Sequence, residues 1–448
     1  MEEGKELEVF RSAPVPTAVL KTTVPAMIGM LMALVYNLAD TFFIGLTRDP
    51  YQLAAVSMAM HVFLIFMAAG MVFGIGGTSV ISRALGENRQ EYAKKVCSFC
   101  MWSCVVVGAV MVALFLIFME PILTLMGVSA DLHDHVKTYL TIVTFGGPSV
   151  LISNCYSNVI RAEGQSRKAV MGQMLGNILN VILDPIMISL LGWGVAGAAI
   201  ATVIGHIFGA AYYILYFLRK QSILSIHPRD FSMRNGICGG VLAIGIPASL
   251  GSLMMSISQI TMNNQMVAFG EMAVAGIGVA SKSLLISGMI SIGFGQGVQP
   301  LLGFCVGAEL WERLKKIMRF SLVFALCLSI FMTLLCFIFS EQLCRIFLSD
   351  PAALDYAVRF LRILLTTGFV FGVFNVLVGA LQAAGAAVVA LILNISRQGI
   401  IYIPALFLLK SLMGADGLAW AQPVADILAL VLASVLYYRS FKKMMNPE

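Results

Sequence analysis

Asp40 is a carboxylic acid inside an apolar run from Val24 to Leu46, which is long enough to cross a lipid bilayer as a helix. A carboxylate at that depth is costly, and nothing else in the run pairs with it. Residues three or four positions apart share one face of a helix, so Asn37 and Tyr36 lie on the face of Asp40. An ionisable group in such a place indicates an ion or proton pathway, whose other members must come from other helices.

Polar side chains recur at helical spacing in three later apolar runs. The fifth run carries Gln173, Asn177, Asn180 and Asp184, the sixth carries Thr202 and His206, and the fourth carries Asn154 and Asn158. If these faces turn toward one another, the carboxylates of Asp40 and Asp184 are surrounded by amide and hydroxyl oxygens.

Such an oxygen-rich site has two chemical uses. Two carboxylates in a poorly hydrated space cannot both hold a negative charge cheaply, so the pair can carry a proton. The same carboxylate, amide and hydroxyl oxygens also suit a hard monovalent cation such as Na⁺. The residue types leave both uses open. A polar network that only fixes helix packing is the weaker interpretation, because two membrane-buried aspartates are present.

The composition predicts the kind of protein that positions these residues. The chain has 448 residues, 59% of them hydrophobic and 12% charged, and the charges fall in short bursts between long apolar stretches. Twelve apolar runs are long enough to span a bilayer, and the connections between them are mostly too short to fold alone. We therefore predict an all-α integral membrane protein with twelve transmembrane helices, surrounded by membrane lipid.

The distribution of basic residues predicts the orientation in the membrane. A net charge of +6 could suggest nucleic acid as a partner, but most Lys and Arg residues fall in alternate connections, the pattern of cytoplasmic loops. With Met1 inside, the exceptions are Arg48, Lys137, Arg345, Arg359, Arg362 and Lys410 in outer connections, and Lys282 and Arg397 within spans. We expect both termini in the cytoplasm, no nucleic-acid partner, and a multi-pass protein of a bacterial or archaeal-type inner membrane.

The chain is an internal duplication. VPAMIGMLM from Val24 matches IPASLGSLM from Ile246, and further matches follow in the same order to the end of the chain. Because each repeat holds six spans, both enter the membrane in the same direction, and a pseudo-twofold axis along the membrane normal should relate two six-helix lobes. Transporters built from repeats bind their substrates between the repeats and alternate access by rocking.

The duplication also predicts the domain boundaries. We expect an N-lobe at 1–220, a basic cytoplasmic lobe linker at 221–235, and a C-lobe at 236–448. Glycines within the spans, such as Gly76 and Gly293, are interpreted as small residues for close helix packing.

The second repeat lacks the acids of the first. Met262 stands opposite Asp40, so the predicted cation site belongs to the N-lobe. The C-lobe has its own polar residues, and an ion pair between Arg397 and Asp426 is expected, with a structural role and a substrate-contacting role both open. The residues assigned to a substrate cavity are Tyr36, Asn37, Asn154, Asn158, Asn177, His206, Gln259, Asn263, Arg397 and Asp426. Lys282 is left open between an outward-reaching side chain and a functional one.

Enzyme and metal chemistry find little support in the residues. The nine cysteines include one CxxC, at Cys97 and Cys100, without the second cluster that a zinc site needs. HExxH, Walker and nucleophile-elbow motifs are missing from the sequence. An intramembrane enzyme would have to use His206 and Asp184, and neither has a convincing Ser or Cys partner. We predict no enzymatic activity, no cofactor, and no metal beyond Na⁺ at the cation site.

Four segments resemble one family of transporters. YNLADTFFIG from Tyr36, RAEGQSRKA from Arg161, NILNVILDP from Asn177 and GVAGAAIAT from Gly194 are similar to the multidrug and toxic compound extrusion (MATE) family, in its prokaryotic DinF-like and MepA-like branch. The resemblance covers essentially the whole chain. It implies two six-helix bundles and cation-coupled antiport of organic cations and other drugs.

The resemblance also implies a residue set for the cation. In this branch the N-lobe cation site falls on residues that correspond here to Asp40, Asn180, Asp184 and Thr202. Other branches use an acid on the seventh helix, where this chain carries Gln259 and Asn263 instead. The leading prediction is a secondary antiporter, driven by H⁺ or Na⁺ and functional as a monomer, that exports amphipathic, often cationic small molecules.

Two other transport classes are weaker alternatives. A flippase for lipid-linked precursors, from the same superfamily, should line its cavity with basic residues, and only Lys282 and Arg397 lie in the spans. A major facilitator carrier shares the parallel six-plus-six layout, but the loop RALGENRQEYAKK lacks that family's Gly-Asp-Arg pattern.

Overall fold

A computed structural model of the chain describes residues 3–45, 50–126, 128, 130–219, 221–348 and 350–445. Arg48, which entered the charge distribution above, and Lys220, the last residue of the predicted N-lobe, lie outside the described residues. Every regular element in these ranges is helical. This agrees with a chain that must satisfy its own backbone hydrogen bonds in lipid.

The helices of the first repeat are α1 (Glu3–Arg11), α2 (Val15–Gly45), α3 (Pro50–Gly86), α4 (Gln90–Ile117), α5 (Met119–Leu125), α6 (Ala130–Ala162), α7 (Ser166–Asp184) and α8 (Gly194–Leu218). Those of the second are α9 (Ile237–Met266), α10 (Glu271–Gly307), α11 (Trp311–Ile338), α12 (Ser340–Arg345), α13 (Pro351–Leu365), α14 (Gly368–Ala383), α15 (Ala387–Ile395), α16 (Tyr402–Met413) and α17 (Ala415–Met445). One π-helical segment, Pro185–Leu190, continues α7, and another, Ser396–Ile400, joins α15 to α16.

The predicted spans correspond to these helices. Within the described ranges, 10 continuous helical segments are long and apolar enough to cross a membrane, and α13 with α14, bent by 48°, makes an eleventh. The fourth predicted span corresponds to α6, a helix of 33 residues that is not among these eleven segments. The prediction of an all-α membrane protein built from two repeats is confirmed.

Packing divides the chain into two compact units that differ from the predicted lobes. The first unit contains α1 and Leu31–Gly245, and the second contains Ser12–Met30 and the chain from Ile246 onward. The first half of α2 therefore packs within the second unit, and the start of α9 packs within the first.

Glycines explain this exchange. A Cβ atom at Gly245 would overlap the backbone carbonyl of Val72, so the start of α9 approaches α3 more closely than any other residue would allow. In the second unit, a Cβ atom at Gly293 would lie 2.8 Å from the Cα atom of Met27, which places the start of α2 against α10. The glycines predicted from the sequence to allow close helix packing thus lie at these contacts.

The segment predicted as a lobe linker is held against the first unit. The Ser98 hydroxyl on α4 donates to the carbonyl of His227 at 2.7 Å, and Phe231 stacks on Phe99 at 6.0 Å between ring centroids. The Ser222 hydroxyl donates to the buried Glu163 carboxylate at 2.6 Å. These contacts attach the segment to α4 and to the end of α6.

Candidate cation-binding site and a second polar cavity

Two glycines bring α7 and α8 close enough to build a site from both helices. A Cβ atom at Gly176 would lie 2.6 Å from the carbonyl oxygen of Gly205, and one at Gly205 would lie 2.7 Å from that of Gly176. Neither position has room for a side chain. Asn180 lies one turn along α7 and Thr202 less than one turn along α8, so their side chains meet beside this contact.

Asp184 lies where the backbone of α7 changes. It is the last α-helical residue before Pro185, whose ring nitrogen has no hydrogen to donate, and a π-helical turn follows directly. Single π turns inside α-helices occur frequently at functional sites. The polar stripe on α7 therefore ends, at Asp184, directly beside this change of winding.

All four residues of the predicted cation site are buried in the first unit. Their exposed fractions are 4% for Asp40, 2% for Asn180, 0% for Asp184 and 3% for Thr202. The Asn180 amide donates to the Thr202 hydroxyl at 3.3 Å, and the Asp40 and Asp184 carboxyls are close enough to interact electrostatically. The structure thus brings together side chains from α2, α7 and α8 that the sequence separates by up to 162 residues.

The buried oxygens of this cluster are short of protein donors. Both carboxylate oxygens of Asp184, one of Asp40 and the amide oxygen of Asn180 have no hydrogen-bond partner in the described part of the chain. Within the same residues, neither acid forms an ion pair with a basic side chain. A buried acceptor without a donor is expensive. A proton or a hard cation would satisfy these oxygens, so the donor set fits either one.

Two tyrosines complete the surroundings of the acids. The hydroxyls of Tyr36 and Tyr139 are both close to the Thr202 side chain, and both rings lie within the electrostatic reach of Asp40. Tyr36 was predicted from its helical spacing to Asp40. Tyr139, on α6, follows a run of charged and polar residues at the start of its helix, so the sequence does not distinguish it from a loop-proximal tyrosine.

Several other predicted residues make contacts away from the two acids. Asn37 donates to the carbonyl of Ala33 on its own helix at 2.7 Å, and the ring of His206 packs against Phe63 with centroids 5.5 Å apart. Asn158 donates to the carbonyl of Asn154 at 3.0 Å. The buried Arg161 donates to the Asn158 side chain at 3.4 Å. Asn177 has a buried amide nitrogen with no partner among the described residues.

The expected ion pair of the C-lobe is present. Arg397 Nε lies 2.8 Å from Asp426 Oδ1, with the two side chains only 13% and 8% exposed. Gln422 donates to the same carboxylate oxygen at 2.8 Å. The guanidinium lies over the rings of Phe371 and Phe374, at 4.6 and 5.1 Å from their centroids. The two phenylalanines were not predicted, because single aromatic residues among 28 phenylalanines carry no sequence signal.

This ion pair faces a cavity of about 150 Å³ inside the second unit. Its lining combines polar side chains, among them Gln259, Gln398 and Tyr402, with apolar side chains of Met, Leu, Ile and Phe. Gln259 also donates to Asn263 at 3.4 Å. The predicted cavity residues are therefore divided, because the asparagines and His206 of the first repeat belong to another unit.

His133, next to Asp134 at the start of α6, belongs to a cluster of charged side chains away from both sites. His133 lies 3.0 Å from Glu120 and 3.3 Å from Asp134, while Lys137 lies 2.5 Å from Glu120. Hydrogen bonding to Glu120 raises the pKa of His133, and hydrogen bonding to Lys137 lowers the pKa of Glu120. Among the described residues no group of His, Cys, Asp and Glu has the geometry of a metal site. The cluster is a set of exposed ion pairs.

Comparisons with known proteins agree with this architecture. A family model described as MatE matches the chain twice, at residues 25–186 and 247–408, which are the two repeats. The multidrug export protein MepA of Staphylococcus aureus (strain NCTC 8325 / PS 47) is 28% identical over 441 residues, covering 97% of this chain and 96% of that protein.

Two solved structures have the same fold. One is described as the outward-facing conformation of a multidrug resistance MATE family transporter of the MOP superfamily, with a TM-score of 0.94 and 23% identity over 98% of both chains. The other is a variant of the Vibrio cholerae MATE transporter VcmN, with a TM-score of 0.90 and 24% identity, covering 97% of this chain and 98% of that one.

Proposed function

The chain belongs to the MatE family of membrane transporters, and on that basis we propose that it is a cation-coupled secondary antiporter for amphipathic, often cationic compounds. Its relatives are multidrug export proteins, so the chain is a transporter and not an enzyme. One observation carries the proposal of cation coupling. Asp40 and Asp184 are both buried, Asp184 lies within the electrostatic reach of Asp40, and both acids have unsatisfied oxygens and no basic partner among the described residues.

The coupling ion enters at this pair. Binding of H⁺ or Na⁺ removes net negative charge from a space of low dielectric, and Asn180 and Thr202 supply neutral oxygens for the remaining contacts. A bound ion changes transport only if it favours one conformation over the other. Charge removal at two crowded acids supplies such a difference.

The helix that carries Asp40 is suited to transmit this difference. The second half of α2 belongs to the unit that holds the cation site, while its first half packs within the other unit. Pro25 interrupts the hydrogen bonding of this helix, so bending there costs little. A cation at Asp40 would thus change the shape of α2, and release of the exported compound to the outside would follow.

The relatives' names supply the class of compound, which we extend to this chain as small amphipathic molecules. In our proposal both termini lie in the cytoplasm, as the basic residues predict, and the protein works as a monomer in a bacterial or archaeal-type inner membrane.

Efflux from proteoliposomes tests the coupling directly. Purified protein is reconstituted, loaded with ethidium, and given first a pH gradient and then a Na⁺ gradient. We expect one gradient or both to drive efflux, and an ionophore that collapses the gradient to stop it. Efflux that continues at the same rate without any gradient would refute secondary antiport.

A pair of matched variants tests the site. Asp40→Asn should reduce gradient-driven efflux to the level of empty liposomes, because the cation loses a charged ligand. Asp134→Asn makes the same chemical change at a side chain that is 99% exposed, and should leave efflux unchanged. Both proteins are first shown to be monodisperse in detergent. Normal gradient-driven efflux by Asp40→Asn would overturn the assignment of the cation site.

A further inference from the structure

The cavity beside Arg397 and Asp426 is chemically different from the cation site. The cation site gathers two acids, whereas this cavity holds one basic and one acidic group already paired at 2.8 Å. It lies wholly within the second unit, and its lining comes from α9, α10, α13, α14, α16, α17 and the π-helical segment Ser396–Ile400 that carries Arg397. Its lining therefore has no net charge.

Charge balance limits what such a cavity can hold. A ligand with a single positive charge would face the Arg397 guanidinium, and one with a single negative charge would face the Asp426 carboxylate. Either would leave an uncompensated charge in a poorly hydrated space, which is costly. A ligand that carries both charges leaves the total at zero and can pair each with its opposite.

The hydrogen-bonding capacity of the ion pair is only partly used. Arg397 donates through Nε, and in the described part of the chain its two Nη groups have no acceptor. Asp426 accepts at Oδ1 from both Arg397 and Gln422, whereas its Oδ2 has no donor among the same residues. Two adjacent, opposite binding groups thus remain: a forked donor for a carboxylate and an acceptor for an ammonium group.

The spacing and size indicate the shape of the ligand. Because Arg397 and Asp426 are in contact, the two ligand charges must also be adjacent, as they are on the α-carbon of an amino acid. A cavity of about 150 Å³ has the size that accommodates one benzene ring in proteins. Phe371 and Met255 supply aromatic and thioether surface for that ring.

We propose that this cavity binds aromatic α-amino acids. The carboxylate pairs with the Nη groups of Arg397, the ammonium group pairs with Asp426 Oδ2, and the ring lies against Phe371. The assignment rests on the proposed function only in taking the cavity as a place where a transported compound binds.

Three single-ring probes that differ only in charge test the proposal. Binding of L-phenylalanine, 2-phenylethylamine and 3-phenylpropanoate to the full-length protein in detergent is measured by competition against tritiated L-phenylalanine. We expect L-phenylalanine to bind at least about tenfold more tightly than either analogue, since each analogue leaves one buried charge without its partner. Equal affinities, tighter binding of the amine or acid, or no binding of any probe would overturn the proposal.

Two double variants locate the binding. Arg397→Met with Asp426→Leu removes both charges from the cavity together, and should bring the three affinities to within about threefold of one another. Glu341→Leu with Arg345→Met removes an exposed ion pair of the same unit, joined at 2.6 Å, and should leave the preference intact. An unchanged preference in the Arg397 and Asp426 variant would place the amino acid elsewhere and refute the site.

The outcome is separable from that of the transport assay. If gradients drive ethidium efflux but the probes bind alike, only the amino-acid assignment fails. If L-phenylalanine is preferred but no gradient drives efflux, only the antiport proposal fails.

Discussion

Substitution of Gly205 by alanine tests whether backbone contact between α7 and α8 sets the cation site. The new Cβ atom would lie 2.7 Å from the carbonyl oxygen of Gly176, whereas ordinary contacts of Cβ atoms begin at 3.4 Å. The helices must therefore separate by about 0.7 Å. The bond from Asn180 to Thr202 is already 3.3 Å long, so this separation breaks it.

The expected magnitude follows from two opposing effects. Forcing a methyl group into a packed contact costs roughly 1–3 kcal/mol. Replacing glycine by alanine within a helix returns up to about 1 kcal/mol. Gly278→Ala makes the same replacement in α10, where the new Cβ atom would meet nothing within 4 Å. This variant therefore has the gain in helix propensity without the packing cost. The difference between the two variants thus isolates the packing cost.

The assays are thermal unfolding in detergent and gradient-driven efflux in proteoliposomes. We expect Gly205→Ala to unfold at a lower temperature than Gly278→Ala. Its efflux should fall roughly tenfold to a hundredfold, because displacement of an active group by about 1 Å can have that effect. Gly278→Ala should transport normally. If Gly205→Ala matches Gly278→Ala in both assays, the close contact does not position Asn180 and Thr202.

Three further predictions concern single groups. Tyr139→Phe should raise the cation concentration needed for half-maximal efflux by roughly two- to tenfold, which corresponds to the loss of one hydrogen bond. An unchanged half-maximal concentration would show that the Tyr139 hydroxyl does not contribute to cation binding. Arg397→Met alone should lower the free energy of unfolding by about 3 kcal/mol or more because Asp426 stays buried and unpaired, while adding Asp426→Leu should restore most of it; additive losses would contradict this. Hydrogen bonding to Glu120 raises the pKa of His133, so the bond stabilises the fold at acidic pH and this contribution is lost as the pH rises through the raised value. Glu120→Gln should return the pKa of His133, measured by NMR titration, toward its ordinary value. If the pKa of His133 is not raised in the unmodified protein, the hydrogen bond between His133 and Glu120 is refuted.

Much of the architecture could be predicted because membrane helices satisfy their hydrogen bonds locally. Apolar runs of sufficient length are helices wherever their neighbours lie, so their number and type follow from the residues. The duplication could be found for a similar reason, since two repeats retain matching residues in the same order. The polar stripe on α7 needed only the helical period to recognise.

Other features depend on contacts between distant segments. No local pattern shows that the first half of α2 packs within one unit and its second half within the other, because the cause is backbone approach at glycines such as Gly245 and Gly293. Pro185 is visible in the sequence, whereas the π-helical segment that begins at it is seen only in the structure.

The two sites show the same division of information. Residue type and burial in an apolar run were sufficient to single out Asp40, Asp184, Arg397 and Asp426, since a charge in lipid requires a reason wherever it lies. Which groups surround each charge was open until the helices were packed. Tyr139 lies beside the acids and Phe371 beside the guanidinium, because helix packing brings together faces whose positions along the chain are unrelated. The sequence alone therefore identifies which buried charges need a partner, because this depends only on the residue and its own helix. The groups that surround each charge are set by how distant helices pack.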